Sequence, residues 1–150
     1  MHRYATIFTV AVGLFTISVA ATAQEACRLT VRGASGASVG RIDADGTVRS
    51  SSGASIGRIQ SGTVRGASGA SIGRIDSDGT IRGASGASIG RVDADGTLRS
   101  SSGASTGKID QDGTVRAASG ASRGRFDGYV PACRHLVAAY LFFFEPLHHQ

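Results

Sequence analysis

"GRIDADGTVR" occupies residues 40–49, and near copies recur as "GRIDSDGTIR" at 73–82, "GRVDADGTLR" at 90–99 and "GKIDQDGTVR" at 107–116. In each copy apolar and polar residues alternate, break at Asp-x-Asp-Gly and then resume. Alternation of period two is the pattern of a strand with one face buried, and the break is turn chemistry. A type I turn over Asp43–Gly46 with Gly46 left-handed makes a three-residue hairpin loop with a glycine bulge. The aspartates suit that loop, because Asp side chains accept from turn amides. In this register Ile42 faces Val48 and Arg41 faces Arg49. The same pairing recurs as Ile59/Val64, Ile75/Ile81, Val92/Leu98 and Ile109/Val115. The second copy reads "RIQSGTVR" and is one residue shorter, so its turn must be tighter.

Working outward, the phrase sits in a 17-residue unit whose copies begin at Val31, Val48, Val64, Ile81, Leu98 and Val115. Such repeats set the architecture. The other turn, "GASGAS" or "SSSGAS", contains only small residues. A second glycine recurs at Gly40, Gly57, Gly73, Gly90, Gly107 and Gly124. Glycine weakens a strand, so its repetition calls for a bulge or a close backbone approach. Five complete hairpins are expected, at 38–49, 55–65, 71–82, 88–99 and 105–116. Half-units at 27–33 and 122–130 allow the chain ends to pair and close the array. One unit buries too few aliphatic side chains to offset its ordering entropy, so neighbours must complete the core. Closure also removes free sheet edges. The expected fold is therefore all-β: five repeated hairpins in a closed, pseudo-symmetric ring.

The flanks differ from the repeats. Residues 1–23 read as an export signal: His2 and Arg3, an apolar stretch, then "ATA" at 21–23, with the mature chain starting at Gln24. An uncleaved anchor is the alternative, but the apolar stretch is short for a spanning helix. The residues before Cys27, "QEA", do not make a lipobox. Residues 24–30 form a lead-in, 31–128 the repeats and 129–150 a Phe-rich end. In that end "LVAAYLFFF" at 136–144 is too short to span a bilayer and reads as a segment packed against the repeats. Contact with a membrane or a partner is the alternative reading. Export to an oxidising compartment, periplasmic or extracellular, makes a Cys27–Cys133 disulfide the simplest use of the two cysteines.

Repeated "IGRIDADGTVR"-type hairpins behind a signal sequence, with a Phe-rich "AAYLFFF" end, resemble the bacterial 5-fold β-flower proteins. The resemblance spans about residues 31–144 and implies five hairpins around a pseudo-fivefold axis. It implies no established activity and no catalytic residues. The shortened second turn and the two cysteines depart from the family pattern, so the disulfide rests on the residues alone.

Composition narrows the chemistry. Net charge is +5 over 150 residues, with Lys108 the only lysine and no Trp. Asp43/Asp45, Asp76/Asp78, Asp93/Asp95 and Asp110/Asp112 mimic part of a calcium loop but lack its remaining oxygen ligands, so no metal is expected. Ser is plentiful but has no repeated His/Asp partner, so no catalytic residues and no cofactor are expected. The threonine column (Thr47, Thr63, Thr80, Thr97, Thr114) is followed two residues on by Arg, unlike an ice-binding Thr-x-Thr row. His148 and His149 read as a frayed tail.

Two arginine columns remain, Arg41, Arg58, Arg74, Arg91 with Lys108 and Arg125, and Arg49, Arg65, Arg82, Arg99 with Arg116. They are either a solvated rim or a ring of guanidinium groups for an anionic ligand such as an acidic polysaccharide. Nucleic acid is not expected, because the repeats offer no aromatic platforms for bases. The sequence thus predicts an exported, non-enzymatic structural or interaction module. The alternative is an envelope binding protein for anionic or carbohydrate ligands, and an envelope protein is a further possible partner.

Overall fold

The structure is a computed structural model, and it describes Gly13 and residues 27–144. Apart from Gly13, the expected export signal lies outside those residues, as do the two tail histidines.

Twelve strands follow one another: β1 (Leu29–Gly33), β2 (Ser38–Ile42), β3 (Thr47–Ser50), β4 (Ser55–Gln60), β5 (Thr63–Gly66), β6 (Ser71–Ile75), β7 (Thr80–Gly83), β8 (Ser88–Val92), β9 (Thr97–Ser100), β10 (Ser105–Ile109), β11 (Thr114–Ala117) and β12 (Ser122–Asp127). A 3-10 turn over Pro131–Cys133 leads into α1 (Arg134–Phe143). The strands close into an antiparallel barrel. Five continuous hairpins, β2–β3 to β10–β11, form most of the wall. The two half-units supply a sixth pair, with Val31 opposite Phe126 and Arg32 opposite Arg125. The registers are those expected: Ile42 faces Val48 and Arg41 faces Arg49.

The turns differ at the two rims. In the Asp-x-Asp-Gly turns Gly46 N donates to Asp43 O at 2.9 Å, and Gly46 has φ of 88°. The shortened second turn is tighter: Ser61 and Gly62 both have positive φ, 52° and 80°, as a two-residue primed turn requires. The small-residue turns close the other rim, with Gly53 at φ 89° and its amide donating to Ser50 O.

Alternation sends the apolar residue of each strand inward. Val31, Ile42, Val48, Val64, Ile81 and Phe126 are all fully buried. Where one hairpin meets the next, the register slips by one residue: Val48 faces Gly57 and Arg49 faces Ser55, leaving Ile56 as a bulge. The equivalent bulge residues are Val39, Ile72, Ile89, Thr106 and Arg123. Val39, Ile56, Ile72 and Ile89 pack against the core from these positions.

The apolar C-terminal run is a helix, and its Leu136–Leu141 stretch is buried within the core cluster formed with the strands. This accounts for the second glycine column. A Cβ on Gly57 would overlap the Phe144 ring, one on Gly73 the Phe143 ring and one on Gly90 the Phe142 ring. One on Gly40 would stand 3.3 Å from the Tyr140 hydroxyl. Both causes expected from sequence operate, since each glycine lies next to a bulge and a Cβ on Gly40, Gly57, Gly73, Gly90 or Gly107 would also meet a cross-strand carbonyl; the aromatic groups of residues 140 and 142–144 are a further cause that sequence did not indicate. Cys27 and Cys133 form a disulfide that ties the start of β1 to the start of α1.

Candidate functional site

The outer wall carries the arginines, and the first, third and fourth hairpins and the closing pair organise them in one way. The first aspartate of the loop stands between two guanidinium groups. Asp43 Oδ2 accepts from Arg49 Nε at 2.7 Å, and its Oδ1 lies 3.1 Å from Arg41 Nε. Asp76 holds Arg82 at 2.8 Å and Arg74 at 3.1 Å, and Asp93 holds Arg99 at 2.6 Å and Arg91 at 2.8 Å. Asp127 does the same for Arg32 and Arg125 across the closing pair. Like charges on facing strands repel, and the shared carboxylate offsets that repulsion.

The second arginine column has a further role. Arg49 Nη1 donates to the Gly53 carbonyl at 3.0 Å, which braces the small-residue turn. Arg32, Arg65, Arg82, Arg99 and Arg116 repeat the contact with Gly36, Gly69, Gly86, Gly103 and Gly120. Each such arginine that has an aspartate partner therefore links the turns of both rims. The first column is more open: the Arg41, Arg74 and Arg91 side chains are 56%, 57% and 53% exposed.

The second aspartate of each loop is a cap. Thr47 N donates to Asp45 Oδ1 at 3.0 Å, and Asp78, Asp95 and Asp112 cap Thr80, Thr97 and Thr114 likewise. The threonine amide holds each of these carboxyls below its ordinary value. Both aspartates thus have a structural partner, and among the described residues no group of three His, Cys, Asp or Glu is placed to hold a metal ion. The described histidine, His135, lies beside Ile75, Asp76 and Ser77 at the Asp-rich rim. Burial, followed by the nearby Arg134 charge, lowers its pKa.

The eight arginines singled out from sequence, Arg41, Arg49, Arg58, Arg65, Arg74, Arg82, Arg91 and Arg99, therefore lie in a belt around the barrel rather than in one cleft. Charge is uneven along that belt. The first, third and fourth hairpins each set two arginines against two aspartates. The second sets Arg58 and Arg65, directly paired across β4 and β5, against Gln60 and Ser61. This turn is one residue shorter and also carries Gln60 and Ser61 in place of carboxylates, so the pair has no acidic partner within its own hairpin. Sequence identifies the missing aspartates, but only the closed wall shows that Arg58, opposite Thr47, lies near Asp45 of the preceding loop.

With five hairpins, a composite closing pair and a Phe-rich helix on the page, comparison with known proteins places the chain. The sequence profile of the 5-fold beta-flower protein family matches residues 28–145. No curated protein and no solved structure matches the chain. The chain belongs to the 5-fold beta-flower protein family.

Proposed function

We propose that this chain is an exported, non-enzymatic structural or interaction module. The observation that carries the reading is the use of its polar side chains. Loop aspartates cap turns or bridge arginines, and second-column arginines brace glycine carbonyls. These contacts commit the repeated charged groups to architecture. The disulfide and the signal-like N-terminus support export. Strands of four to six residues with arginine outside differ from the roughly 9–11-residue, lipid-facing strands of a membrane barrel. Among the described residues no helix is long and apolar enough to cross a membrane.

A second reading, favoured by the Arg58/Arg65 patch, is binding of an acidic polysaccharide at the cell envelope. Purified chain is passed over immobilised acidic polysaccharide at low and high salt. The structural reading expects no retention at either salt. Retention that salt abolishes, and that Arg58→Ser with Arg65→Ser removes while Arg41→Ser keeps it, establishes the second reading instead.

A further inference from the structure

The helix lies unevenly within the barrel. Its closest approaches are to β4, β6 and β8. Where Leu141 and Phe142 meet β9, β10 and β11, a groove of about 520 Å³ remains. Leu98, Val115, Leu141 and Phe142 make its apolar wall, and Ser105 and Ala118 carry it out to the small-residue rim. Gly107 adds no side chain, and a Cβ there would meet the Arg116 carbonyl rather than a phenylalanine ring.

The polar groups of this groove are already engaged. The Thr106 hydroxyl donates to the Leu98 carbonyl at 3.3 Å. Arg116 is held by Asp110 at 2.6 Å and by the Gly120 carbonyl at 3.1 Å. Arg123 has a partner as well. What the groove offers is apolar surface, and Leu98 and Leu141 keep some contact with water there, at 7% and 6% exposure.

The sequence beyond the helix holds an apolar occupant. Phe144 is the C-cap, and its amide donates to the Tyr140 carbonyl at 2.9 Å, which makes Leu141 the third-last helical residue. Helices commonly pack an apolar residue two positions past the cap onto that third-last residue, and proline is common there because it cannot continue the helix. Here that position is Pro146, and Leu147 follows it in "EPLHHQ" at 145–150. These six residues lie outside the described ones. Leu147 is three residues past Phe144, a reach of about 10 Å. Leu141 lies about 4.5 Å back along the helix axis, so the chain is long enough to double back by one turn.

We propose that Pro146 and Leu147 fold back onto Leu141 and fill the groove, so that the tail completes the barrel mouth. Leu147 covers Leu98 and Val115, and the contact needs no free guanidinium or hydroxyl. The sign of the charge agrees with it: among the described residues lining the groove, Arg116 and Arg123 are the charged ones, and the tail begins with Glu145.

Methyl–methyl nuclear Overhauser contacts in the full chain test the proposal and need no variant. Contacts from Leu147 to Leu98, Val115 or Leu141 are expected, and their absence overturns it. In a mixture of labelled and unlabelled chains, contacts found only between chains assign the groove to a second copy and overturn it too. Leu147→Ser is expected to lower the melting temperature by about 3–5 °C, and His149→Ser to leave it unchanged. No shift in Leu147→Ser, or an equal shift in both variants, overturns the packing of Leu147 in the groove.

Discussion

Phe143 lies with its ring edge against the bare α-carbon of Gly73, so that a Cβ there would overlap both the ring and the Arg82 carbonyl. Gly73→Ala therefore forces either the helix or β7 to move. Overpacking of this kind costs about 1–3 kcal/mol. The loss is read from denaturant midpoints, and Phe143→Leu in the same chain is expected to recover part of it through the shared contact. Additive effects of the two changes would mean the helix does not sit against Gly73.

Arg49 and Arg41 share Asp43 but differ in what else they hold. Arg49 also donates to the Gly53 carbonyl, and its side chain is 32% exposed against 56% for Arg41. Arg49→Ala removes two charge-assisted hydrogen bonds and is expected to cost about 1–2 kcal/mol. Arg41→Ala removes one exposed ion pair and is expected to stay within about 0.5 kcal/mol. Thermal melts of the two variants side by side check the order.

Ser61 is the one non-glycine residue with positive φ among the described residues. Asn tolerates the left-handed region better than Ser, because its short polar side chain bonds locally. Ser61→Asn is expected to stabilise the chain by about 0.5–1 kcal/mol, read as a raised melting temperature.

The Cys27–Cys133 bond spans 106 residues and thus nearly the whole barrel. In the chain-entropy account a loop of that length contributes about 4–5 kcal/mol. Both cysteines are buried, at 1% and 0% exposure, so reduction of the native chain is expected to be slow. Once reduced under mild denaturant and returned to buffer, the chain is expected to melt well below the oxidised one. Equal melting temperatures would remove the disulfide from the stability account.

Acid acts through the turn caps. Asp45, Asp78, Asp95 and Asp112 are held below their ordinary value of 3.8, chiefly by the amide two residues on. A depressed carboxyl contributes stability that is present above its unfolded value and is lost as pH falls through the folded one. His135 works earlier: burial lowers it from 6.5, so its contribution is full above that value and declines as pH falls below it. Melting temperature is expected to decline slightly below pH 6.5 and more steeply below about 4. Asn at the four cap positions, which keeps an acceptor oxygen, is expected to flatten the steeper part.

The repeat phrase by itself determined the strands, the two turn chemistries, the cross-strand pairs and the closing of the ring by its half-units. These follow from neighbours in sequence: period-two alternation sets the buried face, and Asp-x-Asp-Gly sets the loop and hence the register. The glycine column and the apolar C-terminal run were both visible as anomalies that called for a partner. Only the tertiary structure decided that they are each other's partner. The azimuth of a helix within a ring depends on which of its side chains fit which units at the same time, and no local pattern encodes that.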